Sequence, residues 1–270
     1  MKQSDSLAVE TVENAIQNSS GVIESKILDI ARKLLDTYSY SEFQTYPRPS
    51  HPEVSKQKDI YFTMVAILIS LRTTLEHEQE AVNAFLTQFS SPEDVMGSTP
   101  EEIAELIRVA GMPDKKANAI LNATKYVIEV LDNDWEQFRE MPLDQAREEI
   151  MKIPGVGQKS ADCLLELGLD LPTIVIDVNM LRVVSRLFGL EWAKNPDLAS
   201  ASQLAEAKKI IEDNLQKDGF LYQIVHTMFL LHGKNICKST PKCDKCQLRE
   251  YCLYYKNSNG GMIQQALFEL

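Results

Sequence analysis

Apolar side chains recur at three- and four-residue intervals along most of this chain, and that spacing restricts it to helices packed on helices. Ile27, Ile30, Ala31, Leu34 and Leu35 form one stripe, Met64, Ile67, Leu68 and Leu71 a second, and Ile103, Leu106 and Ile107 a third. Start signals agree with the stripes. Thr99-Pro100-Glu101-Glu102 offers a capping hydroxyl, a proline for the first helical position and a glutamate placed to complete a capping box. Pro113-Asp114 and Pro142-Leu143-Asp144 mark further starts. Only residues 173–176 read as a strand, and one short strand has nothing to pair with. The expectation is an all-α chain of about ten short helices.

At 270 residues and 44% hydrophobic the chain can bury a sizeable core. Residues 1–23 are polar with scattered Val and Ile and read as a flexible segment, frayed or a weak helix. Lys256-Asn257-Ser258-Asn259-Gly260-Gly261 reads as a linker, so 257–270 is expected to be a flexible tail. The first residues lack the apolar stretch of a signal peptide, and the longest apolar run, 64–69, is far short of a membrane span. The reading is a soluble intracellular protein, cytoplasmic or nucleoid-associated, with no membrane partner. A net charge of −11 speaks against a uniformly basic surface. Screening limits a charge's reach to about 8 Å at physiological salt, so local distribution decides. Acid gathers at Glu76, Glu78 and Glu80 and at Glu101, Glu102 and Glu105, read as outer helix faces. Base gathers at Lys115 and Lys116, Lys152 and Lys159, Arg182 and Arg186, and Lys234, Lys238, Lys242 and Lys245.

The most informative stretch is Ile153-Pro154-Gly155-Val156-Gly157-Gln158-Lys159-Ser160-Ala161. Two glycines one residue apart, after a proline and before an amphipathic run, describe a tight turn opening a helix. Amide N–H groups at Gly155, Val156, Gly157, Gln158 and Ser160 can then approach a phosphate and grip a DNA backbone without reading its sequence. Lys159 falls in the first helical turn. There the helix dipole, with desolvation against Ile153 and Val156, lowers its pKa toward that of an amine nucleophile. The bland alternative is a surface lysine on phosphate or solvent. Asp177 follows the apolar run 173–176 and begins another helix. It is an N-cap candidate, and also a carboxylate placed to move a proton or to steady positive charge on a sugar.

Cys237, Cys243, Cys246 and Cys252 lie within sixteen residues, with five, two and five residues between them. In a reducing compartment such spacing points to metal ligation, by zinc or by a [4Fe–4S] cluster, and composition does not choose between them. The fifth cysteine, Cys163, reads as core.

From about Ile60 to Cys252 the chain resembles the helix-hairpin-helix, Gly/Pro-Asp (HhH-GPD) superfamily of DNA glycosylases typified by endonuclease III, most specifically between Ile153 and Gly189. The resemblance implies two helical lobes with a DNA cleft between them, a cluster-bearing lobe of 24–57 with 171–256 and a six-helix lobe of 58–170 that includes the hairpin. It places Lys159 on the catalytic lysine of members that cut both base and strand, and Asp177 on the catalytic aspartate. It favours iron–sulfur for the cysteine loop, which would aim Lys242 and Lys245 at phosphate, although the loop's first spacing is one residue shorter than usual. Met112 falls on the apolar wedge that enters the base stack, and Arg72 on the residue facing the opposite strand. Their alternatives are a helix-end contact and a surface salt bridge. Asn179 stands where endonuclease III proper has His, as in adenine and plant methylcytosine glycosylases. The implied function is a bifunctional glycosylase and AP lyase acting on duplex DNA with oxidised pyrimidines or abasic sites. A mismatch or modified-base glycosylase and a non-catalytic DNA-binding module are the alternatives. The end of the chain, with Gln264, Leu267 and Phe268, resembles sliding-clamp-binding peptides, against the alternative of an ordinary amphipathic tail.

Overall fold

The computed structural model describes residues 3–40, 56–190 and 199–258, and among them fourteen α-helices and no strand. The chain opens with α1 (Gln3–Asn18) and α2 (Val22–Leu35). Eight helices follow: α3 (Lys56–Ser70), α4 (Leu75–Gln88), α5 (Pro92–Met96), α6 (Pro100–Leu106), α7 (Pro113–Glu129), α8 (Gln137–Glu140), α9 (Leu143–Ile150) and α10 (Gln158–Cys163). The last four are α11 (Val178–Phe188), α12 (Ala201–Glu212), α13 (Gly219–Asn235) and α14 (Leu253–Ser258). Residues 173–176 form no strand; Ile174 N–H donates instead to the Glu212 carboxylate. No helix among the described residues is long and apolar enough to cross a membrane. The tail residues Gln264, Leu267 and Phe268 lie outside the described residues.

The chain divides into two compact units, Met1–Phe43 with Ile174–Leu270, and Gln44–Thr173. In the second unit α3 is the central post: every residue from Ile60 to Ile69 is buried. A helix apolar all round must be wrapped by others, and here α4, α7 and α10 wrap it. One buried polar pair ties α3 to α7. Thr124 spends its proton on the Ile120 carbonyl at 2.8 Å, so Tyr61 donates its hydroxyl proton to Thr124 at 2.8 Å. Trp135 and Phe138 close the far side of this core. The box expected at Thr99 forms, with Thr99 and Glu102 each accepting the other's backbone N–H.

In the first unit α2, α11 and α13 carry the core, with Ile27, Ile30, Leu34, Leu181, Val184, Tyr222 and Phe229 buried. Ser200 and Asp218 cap α12 and α13. Of the two forms expected for 1–23, frayed chain or weak helix, the helix is the one present. Gln3–Asn18 is a helix whose Ala8, Val12 and Ala15 are buried, because scattered apolar residues at helical spacing suffice once a partner face is present.

Candidate functional site

The hairpin joins α9 to α10 in the unit Gln44–Thr173. Ile153 and Val156 turn into the core, leaving Gly155, Gly157, Gln158 and Lys159 exposed. Gly155 has φ +85°, and a Cβ there would sit 3.2 Å from Ala119 Cβ, so both the turn and its seat on α7 require glycine. Nothing lies within 4 Å of a Cβ at Gly157, so a ligand can approach that backbone. Gly157 is the N-cap of α10, which puts Gln158, Lys159 and Ser160 in its first turn, where amides have no partner one turn back. Two expected contacts change. The Val156 amide already donates to the Ile153 carbonyl at 3.0 Å, closing the turn, and the Ser160 side chain is buried, leaving only its backbone to face a phosphate. Lys159 lies in the first turn as expected. Its side chain is exposed, so Ile153 and Val156 do not desolvate it, because both point the other way.

Arg147 of α9 and Asp162 of α10, which the sequence did not single out, lock the two hairpin helices together. Arg147 Nε donates to Asp162 Oδ1 at 2.7 Å with both side chains largely covered, at 14% and 10% exposure.

Two loops of the same unit hold the other expected DNA contacts. Arg72, just past α3, is exposed with φ +56°, and Met112, the N-cap of α7, has φ +51° and is 41% exposed. Left-handed backbone at non-glycine residues is uncommon and clusters at functional sites.

In the other unit Asp177 caps α11, accepting the Met180 N–H at 2.7 Å through Oδ1. Its second oxygen accepts from Asn179 Nδ2 at 2.8 Å, and Asn179 Oδ1 accepts from Arg182. Gly233 of α13 lets this region pack: a Cβ there would lie 2.5 Å from the Asn179 carbonyl oxygen. Lys159 and Asp177 thus belong to different units.

The four clustered cysteines line one pocket, with Arg186 and His232 in its wall. All are thiols rather than disulfides. Among the described residues no three Cys, His, Asp or Glu side chains form a group tight enough for a single metal ion. Burial pushes the Cys246 thiol up to about 11 and those of Cys237 and Cys252 upward. Arg186 grips one arm of the loop, donating to the carbonyls of Lys238 (2.6 Å) and Ser239 (3.0 Å) and to Cys237 Sγ (3.3 Å). Lys242 and Lys245 are exposed on the loop. Cys163 is half-buried against the core of the other unit.

Arg182, Arg186 and Lys116, counted above among basic clusters, are buried, and so is Glu78 from the acidic run. The three cations donate to backbone carbonyls: Lys116 to Ala110, Arg182 to Cys237, and Arg186 to Lys238 and Ser239.

Residues 65–208 match the HhH-GPD superfamily base excision DNA repair protein model. Endonuclease III of Sulfolobus acidocaldarius is 30% identical over 206 residues, spanning 74% of this chain and 84% of that protein. Among solved structures, a thermostable thymine-DNA glycosylase superposes with a TM-score of 0.65 at 21% identity, covering 87% of this chain and 96% of that one. A trapped endonuclease III–DNA covalent intermediate superposes with a TM-score of 0.58 at 24% identity, covering 73% and 84%. At these identities the two structures are likenesses of fold.

Proposed function

We propose that this chain, which belongs to the HhH-GPD superfamily of base excision DNA repair proteins, is a bifunctional DNA glycosylase and AP lyase for oxidised pyrimidines. The observation that carries the reading is Lys159: an exposed amine in the first turn of α10, beside open glycine backbone that can seat a phosphate.

Hairpin amides and the loop lysines Lys242 and Lys245 bind the backbone, and the damaged nucleotide leaves the stack. Met112 acts as the wedge and Arg72 faces the opposite strand. Lys159 supplies the nucleophile. Its Nζ bonds to C1′ as the glycosidic bond breaks, and the base departs with that electron pair and a proton. The C1′–O4′ bond then breaks, O4′ leaving with the bonding pair and taking a proton from water, which opens the sugar to an iminium. Loss of a C2′ proton from it expels the 3′ phosphate with its bonding pair and nicks the strand, and water then frees the amine. Asp177 is assigned the carboxylate role, steadying positive charge on the sugar. Its cap bond and its bond from Asn179 hold it in one orientation.

Cys237, Cys243, Cys246 and Cys252 fit a [4Fe–4S] cluster as an all-thiol donor set around one pocket, with zinc as the other group such donors take. Bound, the cluster supplies a cross-link that fixes the loop carrying Lys242 and Lys245.

Borohydride trapping on a duplex holding one abasic site or thymine glycol tests the reading. A covalent adduct that Lys159→Ala abolishes is expected. A folded, metal-loaded protein that gives no adduct would reduce it to a monofunctional glycosylase or a DNA-binding module. A second reading, a mismatch or modified-base glycosylase, is favoured by Asn179 on Asp177. Preference for a G·T or methylcytosine duplex over thymine glycol would select it.

A further inference from the structure

The loop before α7 is built of backbone that does not hold itself in place. Gly111 has φ +75° and Met112 φ +51°, two left-handed residues in succession. For methionine this conformation is strained and persists only when the surroundings enforce it. Pro113 fixes the next φ, and Gly111 N–H donates to the Arg108 carbonyl at 3.1 Å. The remaining restraint is a side chain. Lys116 Nζ donates to the Ala110 carbonyl at 2.7 Å, gripping the residue before the left-handed pair, while its own N–H takes the Met112 carbonyl at 3.1 Å.

Lys116 is only 4% exposed, whereas its neighbour Lys115 is exposed. Burying an ammonium is costly and is tolerated where it is paired and hydrogen-bonded. Glu78 of α4, itself buried, supplies an opposing charge that acts on Lys116. A lysine there for packing alone could be a methionine of similar stem; gripping a carbonyl needs the donor. One turn further along α7, Ala119 carries the hairpin at Gly155. Residues three apart share a helix face, so one face of α7 sets both the Met112 loop and the phosphate-binding turn.

We propose that Lys116 is the positioning residue that holds the Gly111-Met112 loop in its left-handed form and so presents Met112 to the base stack at a fixed distance from the hairpin. The inference rests on the reading of Met112 as the wedge. Lys116 touches neither DNA nor the reacting atoms. Its effect therefore falls on base extrusion and spares the amine chemistry at Lys159.

The test uses full-length protein on duplexes carrying thymine glycol or an abasic site, with 2-aminopurine beside the lesion to report unstacking. Lys116→Met, Met112→Ala and Gly111→Ala are compared after thermal melts confirm folding. Gly111→Ala perturbs conformation alone, since nothing lies within 4 Å of its Cβ. The ratio of thymine glycol excision to abasic-site cleavage should fall about tenfold in Lys116→Met and Gly111→Ala, with matching loss of the 2-aminopurine signal, as expected when a contacting group is misplaced. A Lys116→Met protein that keeps the wild-type ratio and signal while Met112→Ala loses them overturns the positioning role and leaves the wedge standing. Equal loss of both activities in Lys116→Met, with an unchanged ratio, also overturns it, as a purely structural lysine. If Lys116→Met does not fold, Gly111→Ala decides by the same criteria. A wild-type ratio in Met112→Ala refutes the wedge and the inference with it.

Discussion

The ion pair inside the hairpin gives the sharpest energetic test of how the DNA grip is held. Removing Asp162 leaves Arg147 in a covered site with its main partner gone. Breaking a buried pair from one side costs about 3–5 kcal/mol. Side-chain exposures of 14% and 10% admit some water, which brings the expectation for Asp162→Ala to the lower end, about 3 kcal/mol. Asp144 also pairs with Arg147 but is 92% exposed, so Asp144→Ala should cost no more than about 0.5 kcal/mol. For a chain of this size each kcal/mol moves Tm by about 2–4 °C, so Asp162→Ala should melt roughly 6–12 °C lower. Calorimetry on wild type, Asp162→Ala, Arg147→Met and Arg147→Met/Asp162→Leu measures it. The double variant buries no lone charge and should recover most of the loss. An Asp162→Ala protein within about 1 kcal/mol of wild type, or a double variant that loses the sum of the single changes, would show that the pair does not clamp the hairpin.

Three further outcomes follow from the same structure. Gly155→Ala forces a Cβ onto φ +85° backbone against Ala119, so it should cost about 1–3 kcal/mol and weaken binding to undamaged duplex, measured by anisotropy. Lys26 of α2 donates to the Leu187 carbonyl at 3.0 Å, and burial lowers its pKa to about 8 from 10.5. The unfolded chain therefore binds more protons between those values, so stability rises with pH across that window and is lost as pH falls from 10.5 toward 8. Lys26→Met should flatten the rise by about 1–2 kcal/mol in urea midpoints, a figure discounted for partial solvent access; an unchanged slope rejects the assignment. Cys246→Ser should remove iron and visible absorbance together, while a colourless wild type holding zinc would refute the cluster.

What could be read from the residues was local geometry. The hairpin showed because a tight turn with backbone open to a ligand needs glycines at 155 and 157. The N-cap role of Asp177 and the box at Thr99 showed because a capping side chain bonds within its own first turn. What stayed hidden depends on which helix covers which. Lys116, Arg182, Arg186 and Glu78 look like surface charges until a carbonyl or loop from elsewhere closes over them. Arg147 and Asp162 lie fifteen residues apart on two helices whose pairing no periodicity announces. Gly233 sits inside a helix, and its need for a bare Cα appears only against the backbone of Asn179.

The way the first unit is assembled from the two ends of the chain matters on the ribosome. α2 emerges early with Ile27, Leu28, Ile30, Ala31 and Leu34 needing cover, yet α13, which packs on it, is made only after the whole of Gln44–Thr173. At about 5–20 residues per second that wait is roughly 10–40 s. α1, made just before α2, packs on it from the outset, and so reads as a shield during synthesis as well as part of the finished core.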